Sequence, residues 1–388
     1  MPTRVFHVRG MADAVEIVRS SNARRQPLVV RGGGTQLAVG NPPRDLTSIV
    51  AMNDMARVLS YSPDDMVITA EAGMTLADLD RVLAPAGQRV PLKAPNPERA
   101  TIGGLAAANF NGGIAYAFGY PRDQILGMTV IDGGGRVLRA GGRVVKNVAG
   151  YDLPRVLIGS VGTLAVIADV TLRTQPRPEV VDRCTLDFTD ERSLEAIRQR
   201  VFRSRLPLRS FDIVGENDRQ RLPWRMHLSM DGTAKQVEYL HASIKTLARE
   251  EACHVDVPGS GTHSADGANF VARFATTPST AVRDGSMLLA RANTIVDGAR
   301  ILLECGGALL RLRATCTSRA ELAALVQICK ERNEAGAGAL LLENIPSEEK
   351  RVFDVWCGPI HGLPLMRRLK AKFDPNAVLA PGRFVGGI

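Results

Sequence analysis

The sequence is organised around residues 141–167, which read GGRVVKNVAGYDLPRVLIGSVGTLAVI. Glycine turns bracket a short predicted helix, for which Asp152 is a suitable N-cap and Pro154 a suitable first-turn residue. A β-branched strand follows the second glycine turn. The small residues between helix and strand, such as Gly159 and Gly162, allow a backbone to lie flat against a ligand. We therefore expect this stretch to form one wall of a ligand-binding site.

A second glycine-rich segment lies closer to the N-terminus. Residues 27–31 (PLVVR) predict a short buried strand, and residues 32–35 (GGGT) follow it directly. Successive amides in such a turn point inward and bind an anion, typically phosphate, to which Arg31 adds a charge-assisted contact. The alternative is an ordinary glycine-rich turn. Leu37 excludes a Rossmann GxGxxG pattern, and no Gly-Lys-Ser/Thr follows, so neither an NAD site nor a Walker A loop is predicted.

A third cluster of small residues lies at 100–113, reading ATIGGLAAANFNGG. Gly103, Gly104 and the alanines at 106–108 permit a very close approach of another group. That group is either a ligand or a helix packed tightly in the core, and the local sequence fits both.

Composition and net charge limit the kinds of molecule that the chain is expected to bind. The chain has 388 residues, enough for two or three domains, and a net charge of +9. Lysine and arginine total 49, of which only eight are lysine. The arginine bias indicates either anion recognition or an even spread over the surface. Nucleic-acid binding is not expected, because aromatic residues are only 5% and no run of five or six basic residues occurs.

The cysteines and histidines predict no metal. Six cysteines include no CxxC pair, and the six histidines are never spaced two to four residues apart. We expect reduced thiols in a cytoplasmic protein without a zinc site or an iron–sulfur cluster of its own. There is no signal-peptide pattern and no apolar run of roughly 18–20 residues. Any membrane contact is therefore expected to be peripheral and through partners.

Proline residues mark the predicted domain boundary. Residues 125–139 predict a β-hairpin, and the three glycines at 133–135 are assigned to its turn. Pro176 and Pro178 then interrupt both helix and strand. Beyond them, strand-like runs at 287–291 and 308–315 alternate with helical segments, which predicts an α+β domain with a mostly antiparallel sheet.

In this order, residues 31–35, 100–104, 111–113, 146–153 and 159–167 resemble the PCMH-type (vanillyl-alcohol-oxidase-like) FAD-binding family. The resemblance covers about residues 3–175, and the closing segment FDPNAVLAPGRF at 373–384 extends it. Within the family, residues 141–166 and this tail are most similar to the FAD-binding subunits of bacterial glycolate oxidases.

The family implies an α+β fold in which a two-part PCMH-type FAD-binding domain precedes an α+β cap domain. We expect the FAD domain at 1–175, the cap and subunit-contact domain at 180–372, and a tail at 373–388 that returns towards the flavin.

The resemblance also assigns roles to individual residues. The loop at 31–36 holds the FAD pyrophosphate, the loop at 101–104 contacts the second phosphate and the flavin side, and 162–167 contacts FAD through main-chain atoms. The cofactor-binding residues implied are Arg31, Gly32, Gly33, Gly34, Thr35, Gln36, Thr101, Gly103, Gly104, Asn111, Gly113, Gly162, Thr163, Val166 and Ile167.

Departures from the family pattern carry further expectations. Covalent members have a histidine where this chain has Thr35, so the FAD is expected to be non-covalent. Val161 replaces the glutamate of a common GSEGT motif, and Ala380 replaces the asparagine of NPGK. No nucleophile elbow and no paired histidines with an acidic residue are found. Lys146 and Arg383 remain weak catalytic candidates.

Three functions follow from the resemblance. The first is an FAD subunit of a glycolate oxidase complex, which works with a homologous catalytic flavin subunit and an iron–sulfur subunit in electron transfer from glycolate or D-lactate to quinone. The second is a stand-alone FAD-dependent dehydrogenase of a small 2-hydroxy acid. The third is a scaffold subunit with a structural FAD.

Overall fold

The computed structural model describes residues 4–142, 152–216, 223–248, 254–256, 267–335, 339–358 and 360–388. The chain divides into two compact units. The first comprises Met1–Gly112, Phe118–Arg177 and Pro359–Ile388, and the second comprises Gly113–Ala117 and Pro178–Gly358. Residues 359–372, which the sequence assigned to the second domain, therefore belong to the first unit, where Leu369 packs against the core.

The strands follow one another in this order: β1 (Arg4–His7), β2 (Leu28–Arg31), β3 (Ser48–Ala51), β4 (Val58–Ser62), β5 (Val67–Glu71), β6 (Gln88–Arg89), β7 (Ile125–Asp132), β8 (Val137–Gly141), β9 (Ala165–Arg173), β10 (Gln175–Pro176), β11 (Val180–Phe188), β12 (Ser210–Glu216), β13 (Trp224–Gly232), β14 (His254–Asp256), β15 (Phe270–Ala275), β16 (Arg300–Glu304), β17 (Leu309–Ala314) and β18 (Leu340–Asn344).

The helices are α1 (Met11–Arg24), α2 (Leu76–Leu83), α3 (Ile102–Ala108), α4 (Ala115–Phe118), α5 (Pro121–Gln124), α6 (Leu153–Leu157), α7 (Glu191–Ser204), α8 (Ala234–Ala248), α9 (Ala281–Ala292), α10 (Arg319–Ala335) and α11 (Leu363–Phe373).

The first unit is built around β9, the apolar strand that ends the stretch at 141–167. β9 lies between β5 and β7 in a five-stranded antiparallel sheet of order β4-β5-β9-β7-β8. Its side chains alternate between two cores: Ala165 and Ile167 pack on one side, and Val166 and Ala168 on the other. Because both faces are covered, the strand reads as a nearly continuous apolar run. The two cores correspond to the two-part domain that the sequence predicted.

A smaller parallel sheet, of order β1-β3-β2, belongs to the second of these cores. Helix α1 buries Ala14 and Val18 there, together with Leu28 and Val50 of the sheet. Strand β2 ends at Arg31, so the segment GGGT leaves directly from the edge of a packed sheet. The sheet therefore fixes the start of the glycine loop.

Two local predictions are confirmed, and one is wrong. The β7–β8 hairpin forms as predicted. In α2, Thr75 caps the helix by accepting from the amide of Asp78. Asp152 is the N-cap residue of α6, as predicted, but its side chain makes no cap hydrogen bond and instead pairs with Arg155 at 2.9 Å. The run at 287–291 is not a strand but lies in α9, because its apolar residues form the buried side of a helix, as Leu288 and Leu289 show.

The C-terminal tail is anchored inside the first unit by Lys370. Its Nζ donates to the carbonyl oxygens of Thr163 (2.7 Å) and Leu379 (2.8 Å) and to Asp374 Oδ2 (2.7 Å). Asp374 also accepts from the amides of Val378 and Leu379. Burial lowers the pKa of Lys370, while the charge of Asp374 opposes this shift. This cluster joins α11, the turn before β9 and the tail.

The second unit contains an eight-stranded sheet of order β14-β11-β13-β12-β16-β17-β15-β18, in which the described pairs are all antiparallel. One face is apolar, with Phe211, Phe270 and Leu312 fully buried. The opposite face carries arginine and glutamate side chains, such as Arg311 and Glu304. The predicted α+β class with a mostly antiparallel sheet is confirmed.

On this polar face, Glu343 neutralises two arginines. Its carboxylate lies 2.7 Å from the Nε of Arg311 and 3.2 Å from the Nε of Arg273. Burial acts to raise the pKa of Glu343, but the charges of Arg311 and Arg273 outweigh it and lower the pKa below its usual range. The stability that Glu343 contributes is therefore present above the pKa of the unfolded chain and is lost as the pH falls through the lower folded value.

We expect Glu343→Gln to lower the free energy of unfolding by about 3 kcal/mol at pH 7, the low end of what breaking a buried ion pair costs. Glu331→Gln is the control, because Glu331 on α10 forms an exposed, solvent-screened pair with Arg291 on α9, and its loss should be much smaller than that of Glu343→Gln. Urea unfolding at pH 7 and pH 4 measures both. Equal losses in the two variants, or a Glu343→Gln deficit that does not shrink in acid, would contradict this prediction.

Candidate functional site

A cleft in the first unit brings together three of the predicted glycine segments. It encloses about 720 Å³ of space, part of it open to solvent. We call it the glycine cleft. It is lined by Val30, Arg31, Gly32, Gly33, Gly34, Thr35, Gln36, Leu37, Met52, Ala72, Thr101, Gly103, Gly104, Ala107, Ala108, Val161, Gly162, Ala165, Ile167 and Arg383.

The loop after β2 packs directly on the segment before α3. A Cβ built on Gly33 would lie 1.5 Å from the carbonyl oxygen of Arg99, and one on Gly32 would lie 2.1 Å from Thr101 Oγ1. Arg99 in turn donates to the carbonyl of Gly33 at 3.1 Å. The two loops therefore touch backbone to backbone, and side chains at these glycines have no room.

Helix α3 connects this loop pair to the turn before β9. Thr101 caps the helix by accepting from the amide of Gly104 at 3.2 Å. At the other end, the amides of Gly159 and Val161 donate to the carbonyls of Ala106 and Ala107. The turn consequently follows the end of α3 and places Gly162 on the cleft wall.

Val161 adopts a backbone conformation that is rare for its residue type. Its φ is 47°, in the left-handed region that β-branched residues avoid. The hydrogen bond from its amide to Ala107 holds it there, between Gly159 (φ 82°) and Gly162 (φ 78°). Such strained positions concentrate at functional sites, and Val161 lines the glycine cleft.

The described lining of the cleft is cationic. It includes Arg31 and Arg383 and contains no carboxylate, histidine or thiol among the residues described. The guanidinium of Arg383 donates to the carbonyls of Leu37 (2.9 Å) and Val39 (3.0 Å) and stays largely buried. Burial lowers its pKa to about 10. It therefore remains protonated at neutral pH and tethers the tail to the loop after β2.

The cleft fits a large anionic dinucleotide such as FAD. A Cβ on Gly162 would meet nothing within 4 Å, and one on Gly104 would meet only Thr101 Oγ1, at 3.1 Å. Bare backbone thus faces open space on two walls, which suits close contact with a flat ligand. The two arginines supply positive charge for a pyrophosphate.

Four predicted cofactor residues do not line the cleft. The side chain of Asn111 is fully buried and bonds to the backbone of Pro91, Lys93 and Gly119. Gly113 belongs to the second unit, where it packs on Asp212. Their positions reflect packing that the local sequence does not reveal.

The other two, Thr163 and Val166, turn into the first unit instead. Thr163 Oγ1 donates to the carbonyl of Ser160, and the side chain of Val166 points from β9 into the core that α1 and the parallel sheet share. In β9 alternate side chains face opposite sides, so Ile167 reaches the cleft and Val166 does not. The candidate Lys146 lies outside the described residues.

The sequence reasoning missed Met52 and Ala72, which line the cleft from the ends of β3 and β5. Ala72 contacts Gly103 so closely that a Cβ there would lie 2.6 Å from the Ala72 Cβ. No local motif marks either residue. The sequence indicates these two residues only indirectly, because each one directly follows a buried strand.

Comparison with known proteins identifies the class. Residues 2–141 match the family of FAD binding domains. This part of the chain is therefore an FAD binding domain, and the match supports FAD as the cofactor.

Among curated proteins, the chain is similar to the glycolate oxidase subunit GlcE of Escherichia coli, with 36% identity over 182 residues, which cover 47% of this chain and 50% of that one. It is also 34% identical to a D-lactate dehydrogenase of Archaeoglobus fulgidus over 193 residues, 50% of this chain and 43% of that protein. The chain thus spans about half or less of the length of these relatives.

A solved structure supports the fold over nearly the whole chain. The structure of p-cresol methylhydroxylase with substrate bound aligns with a TM-score of 0.78 at 14% identity, covering 98% of this chain and 88% of that one. At this identity the likeness concerns the fold alone, and it confirms the predicted PCMH-type architecture.

Two further findings concern the described residues only. They contain no helix that is long and apolar enough to cross a membrane. They also contain no group of three or more histidine, cysteine, aspartate or glutamate side chains arranged to hold a metal ion.

Proposed function

We propose that this chain is the FAD-carrying subunit of a glycolate oxidase complex, an FAD-dependent oxidoreductase of 2-hydroxy acids. The observation that carries the proposal is the glycine cleft, whose backbone walls and two arginines suit FAD but whose described lining offers no acid or base. The similarity to GlcE supports the assignment to a glycolate oxidase.

In this proposal the redox chemistry is that of the flavin, which accepts and passes on electrons when bound. The residues of this chain bind the cofactor and set its electrostatic surroundings. Arg31 and Arg383 balance the charge of the pyrophosphate, and the turn at Gly162 holds one wall through backbone atoms. Electrons from glycolate or D-lactate come from a homologous catalytic flavin subunit and pass through an iron–sulfur subunit towards quinone.

The second unit would then contact the partner subunits, so that association with the cytoplasmic face of the membrane is peripheral. This part of the proposal rests on the family resemblance and on the division of the chain into two units.

A second candidate is a stand-alone 2-hydroxy-acid dehydrogenase. The similarity to a D-lactate dehydrogenase favours it, and Arg31 or Arg383 would bind the substrate carboxylate at the glycine cleft. A third candidate, a scaffold with redox-silent FAD, follows if the cofactor only completes the fold.

One experiment separates the three candidates. The visible spectrum of the purified chain is recorded anaerobically before and after addition of glycolate or D-lactate, alone and with the partner subunits. Flavin that bleaches only with the partners supports the complex subunit. Bleaching without partners supports the stand-alone enzyme, and flavin that stays oxidised during turnover of the whole complex supports the scaffold. Failure of the chain to bind FAD at all would overturn every candidate.

We predict that the FAD is bound without a covalent bond. Thr35 lies on the cleft where covalent relatives carry histidine, and the described lining contains neither histidine nor cysteine. Acid precipitation should therefore release essentially all flavin into the supernatant, as measured by its fluorescence. Flavin that remains with the precipitated protein would show a covalent link.

A further inference from the structure

Helix α11 of the first unit is rich in basic residues, and its exposed part has no negative charge to pair with. Its sequence is LPLMRRLKAKF, with four basic residues and no acidic one. Lys370 pairs with Asp374 inside the protein. Arg367, Arg368 and Lys372 are exposed, and they form no hydrogen bond or ion pair with any residue in the described part of the chain. Three cations of α11 are therefore available to a partner.

The exposed side of α11 also carries an apolar residue. Leu365, Arg368 and Lys372 are three and four residues apart, so they share one side of the helix. Leu365 is 52% exposed there. The other side of the helix fixes it to the protein, since Leu369 packs against the core and Phe373 is buried. Helix α11 is therefore amphipathic, and its exposed side combines cations with a leucine.

The last two turns of α1 add arginines close to the end of α11. Asn22, in the last turn of α1, accepts a hydrogen bond at 3.0 Å from the side-chain amide of Asn376, which follows α11. Arg19, Arg24 and Arg25 flank Asn22 in the chain, are exposed, and make no ion pair with a residue that the structure describes. We call these exposed cations of the two helices the basic surface: Arg19, Arg24, Arg25, Arg367, Arg368 and Lys372.

The charges of the chain are not spread evenly between the two units. Basic and acidic residues nearly balance in the second unit, so the net charge of +9 belongs to the first. At an ionic strength of about 0.1 M, exposed cations attract anions over about 10 Å. Because the basic surface extends over parts of two helices, it fits an extended anionic surface better than a single small ion.

The exposed leucine indicates which kind of anionic surface fits. A helix with cations on its polar side and an apolar side chain beside them binds where the headgroups of a bilayer meet its acyl chains. A nucleic acid would gain little from stacking, because the only aromatic residue of α1 and α11 is Phe373, which is buried. The combination therefore favours anionic lipid.

We propose that the basic surface binds the anionic headgroups of a lipid bilayer, with α11 lying along the membrane surface and Leu365 entering the headgroup layer. The first unit then contacts the membrane directly and peripherally. The inference rests on the charges and the exposure of α1 and α11, and it does not depend on the function proposed above.

The test uses the full chain with bound FAD and two kinds of vesicle, one of phosphatidylcholine alone and one of phosphatidylcholine mixed with phosphatidylglycerol. Co-sedimentation measures the fraction of protein bound. We expect binding to the phosphatidylglycerol vesicles at about 0.1 M sodium chloride, and its loss at about 1 M, where the charges are screened within about 3 Å. Vesicles of phosphatidylcholine alone should bind little protein.

The triple variant Arg367→Gln, Arg368→Gln and Lys372→Gln should bind the phosphatidylglycerol vesicles roughly a hundredfold more weakly, since each lysine or arginine near such a surface accounts for about fivefold. Its Tm and FAD content should equal those of the wild type, because the three side chains are exposed. Leu365→Ser should weaken binding about threefold while keeping the salt dependence.

The matched control neutralises three exposed cations on helices α7 and α8 of the second unit. Arg192→Gln, Lys235→Gln and Lys245→Gln together remove the same amount of charge from the chain. This control should bind the phosphatidylglycerol vesicles as the wild type does. Equal losses in the two triple variants would show that net charge, and not the basic surface, governs binding, and would overturn the proposal.

Three other results would also overturn it. The first is equal binding to both kinds of vesicle, and the second is binding that persists at about 1 M sodium chloride. The third is binding to poly-glutamate without binding to the phosphatidylglycerol vesicles, which would assign the basic surface to an acidic protein. Since none of these measurements involves reduction of the flavin, the proposed function keeps its own separate test.

Discussion

Replacement of Gly33 or Gly104 by valine is expected to yield protein that lacks FAD. At Gly33 the added Cβ would lie 1.5 Å from the carbonyl oxygen of Arg99, so the glycine loop must move away from the segment before α3. At Gly104 the nearest atom is the hydroxyl of Thr101, at 3.1 Å, so the new side chain extends into the cleft. The first variant displaces a wall of the site, whereas the second occupies the space of the ligand.

The two variants should therefore differ in stability. Gly33→Val should also lower the stability of the apoprotein, because the clash is with backbone atoms that cannot turn aside. Gly104→Val should leave the apoprotein nearly as stable as the wild type, since glycine is itself unfavourable inside a helix. For both, FAD affinity should fall at least about tenfold, equivalent to about 1.4 kcal/mol.

The measurement is the ratio of flavin to protein absorbance after reconstitution with FAD, together with urea unfolding of the apoprotein. Gly10→Val is the control, because a Cβ at Gly10 meets nothing within 4 Å and its backbone is extended, with φ at −168°. Normal FAD content in both Gly33→Val and Gly104→Val would show that the glycine cleft is not the FAD site.

Lys370→Met is expected to cost about 3–5 kcal/mol of folding stability, the range found when one partner of a buried ion pair is removed. The change leaves the carboxylate of Asp374 buried without its cation, and it removes donors from the carbonyls of Thr163 and Leu379. The tail then loses its link to the turn before β9. Since Arg383 of the tail contacts the loop after β2, FAD affinity should fall as well.

Lys372→Met provides the comparison, because Lys372 lies two residues further along the same helix and is exposed. It should change the free energy of unfolding by less than about 0.5 kcal/mol. Asp374→Asn combined with Lys370→Met should cost less than the sum of the single changes, since the two groups form one pair. A Lys370→Met variant within about 1 kcal/mol of the wild type, or strict additivity, would contradict the assignment.

The C-terminal tail gives a second reason for the glycine at position 133, which the sequence alone assigns to a hairpin turn. The glycines at 133–135 were assigned to the turn of the β7–β8 hairpin, and the hairpin forms as predicted. Gly133 has a second reason: its amide donates to the carbonyl of Phe373, and a Cβ there would lie 2.3 Å from Asp374 Oδ1. The turn could be predicted from the sequence because its conformation depends on neighbouring residues. The packing of Gly133 against the tail could not, because the tail is distant in the sequence.

The polar face of the second unit shows the same limit. The arginine bias of the composition left anion recognition and a uniform surface spread as alternatives. In this sheet the strand register, which composition does not show, sets Arg300 opposite Arg313 and Arg273 opposite Arg311. Glutamates of the same sheet, Glu216 and Glu343, pair with Arg300, Arg273 and Arg311. The strand predicted at 287–291 is wrong for a related reason. A short apolar run fits the buried side of a helix as well as it fits a strand, and these residues lie in α9.

The sequence by itself determined the α+β class, the order of the glycine segments and the small residues that an FAD-binding backbone requires, because turn conformation and close approach depend on each residue's own side chain. The tertiary structure alone decided which of these segments meet. Gly33 touches Arg99, Gly103 touches Ala72, and Lys370 reaches Thr163 across 207 positions of the chain. Such contacts depend on how distant strands and helices pack, and no local pattern encodes that distance.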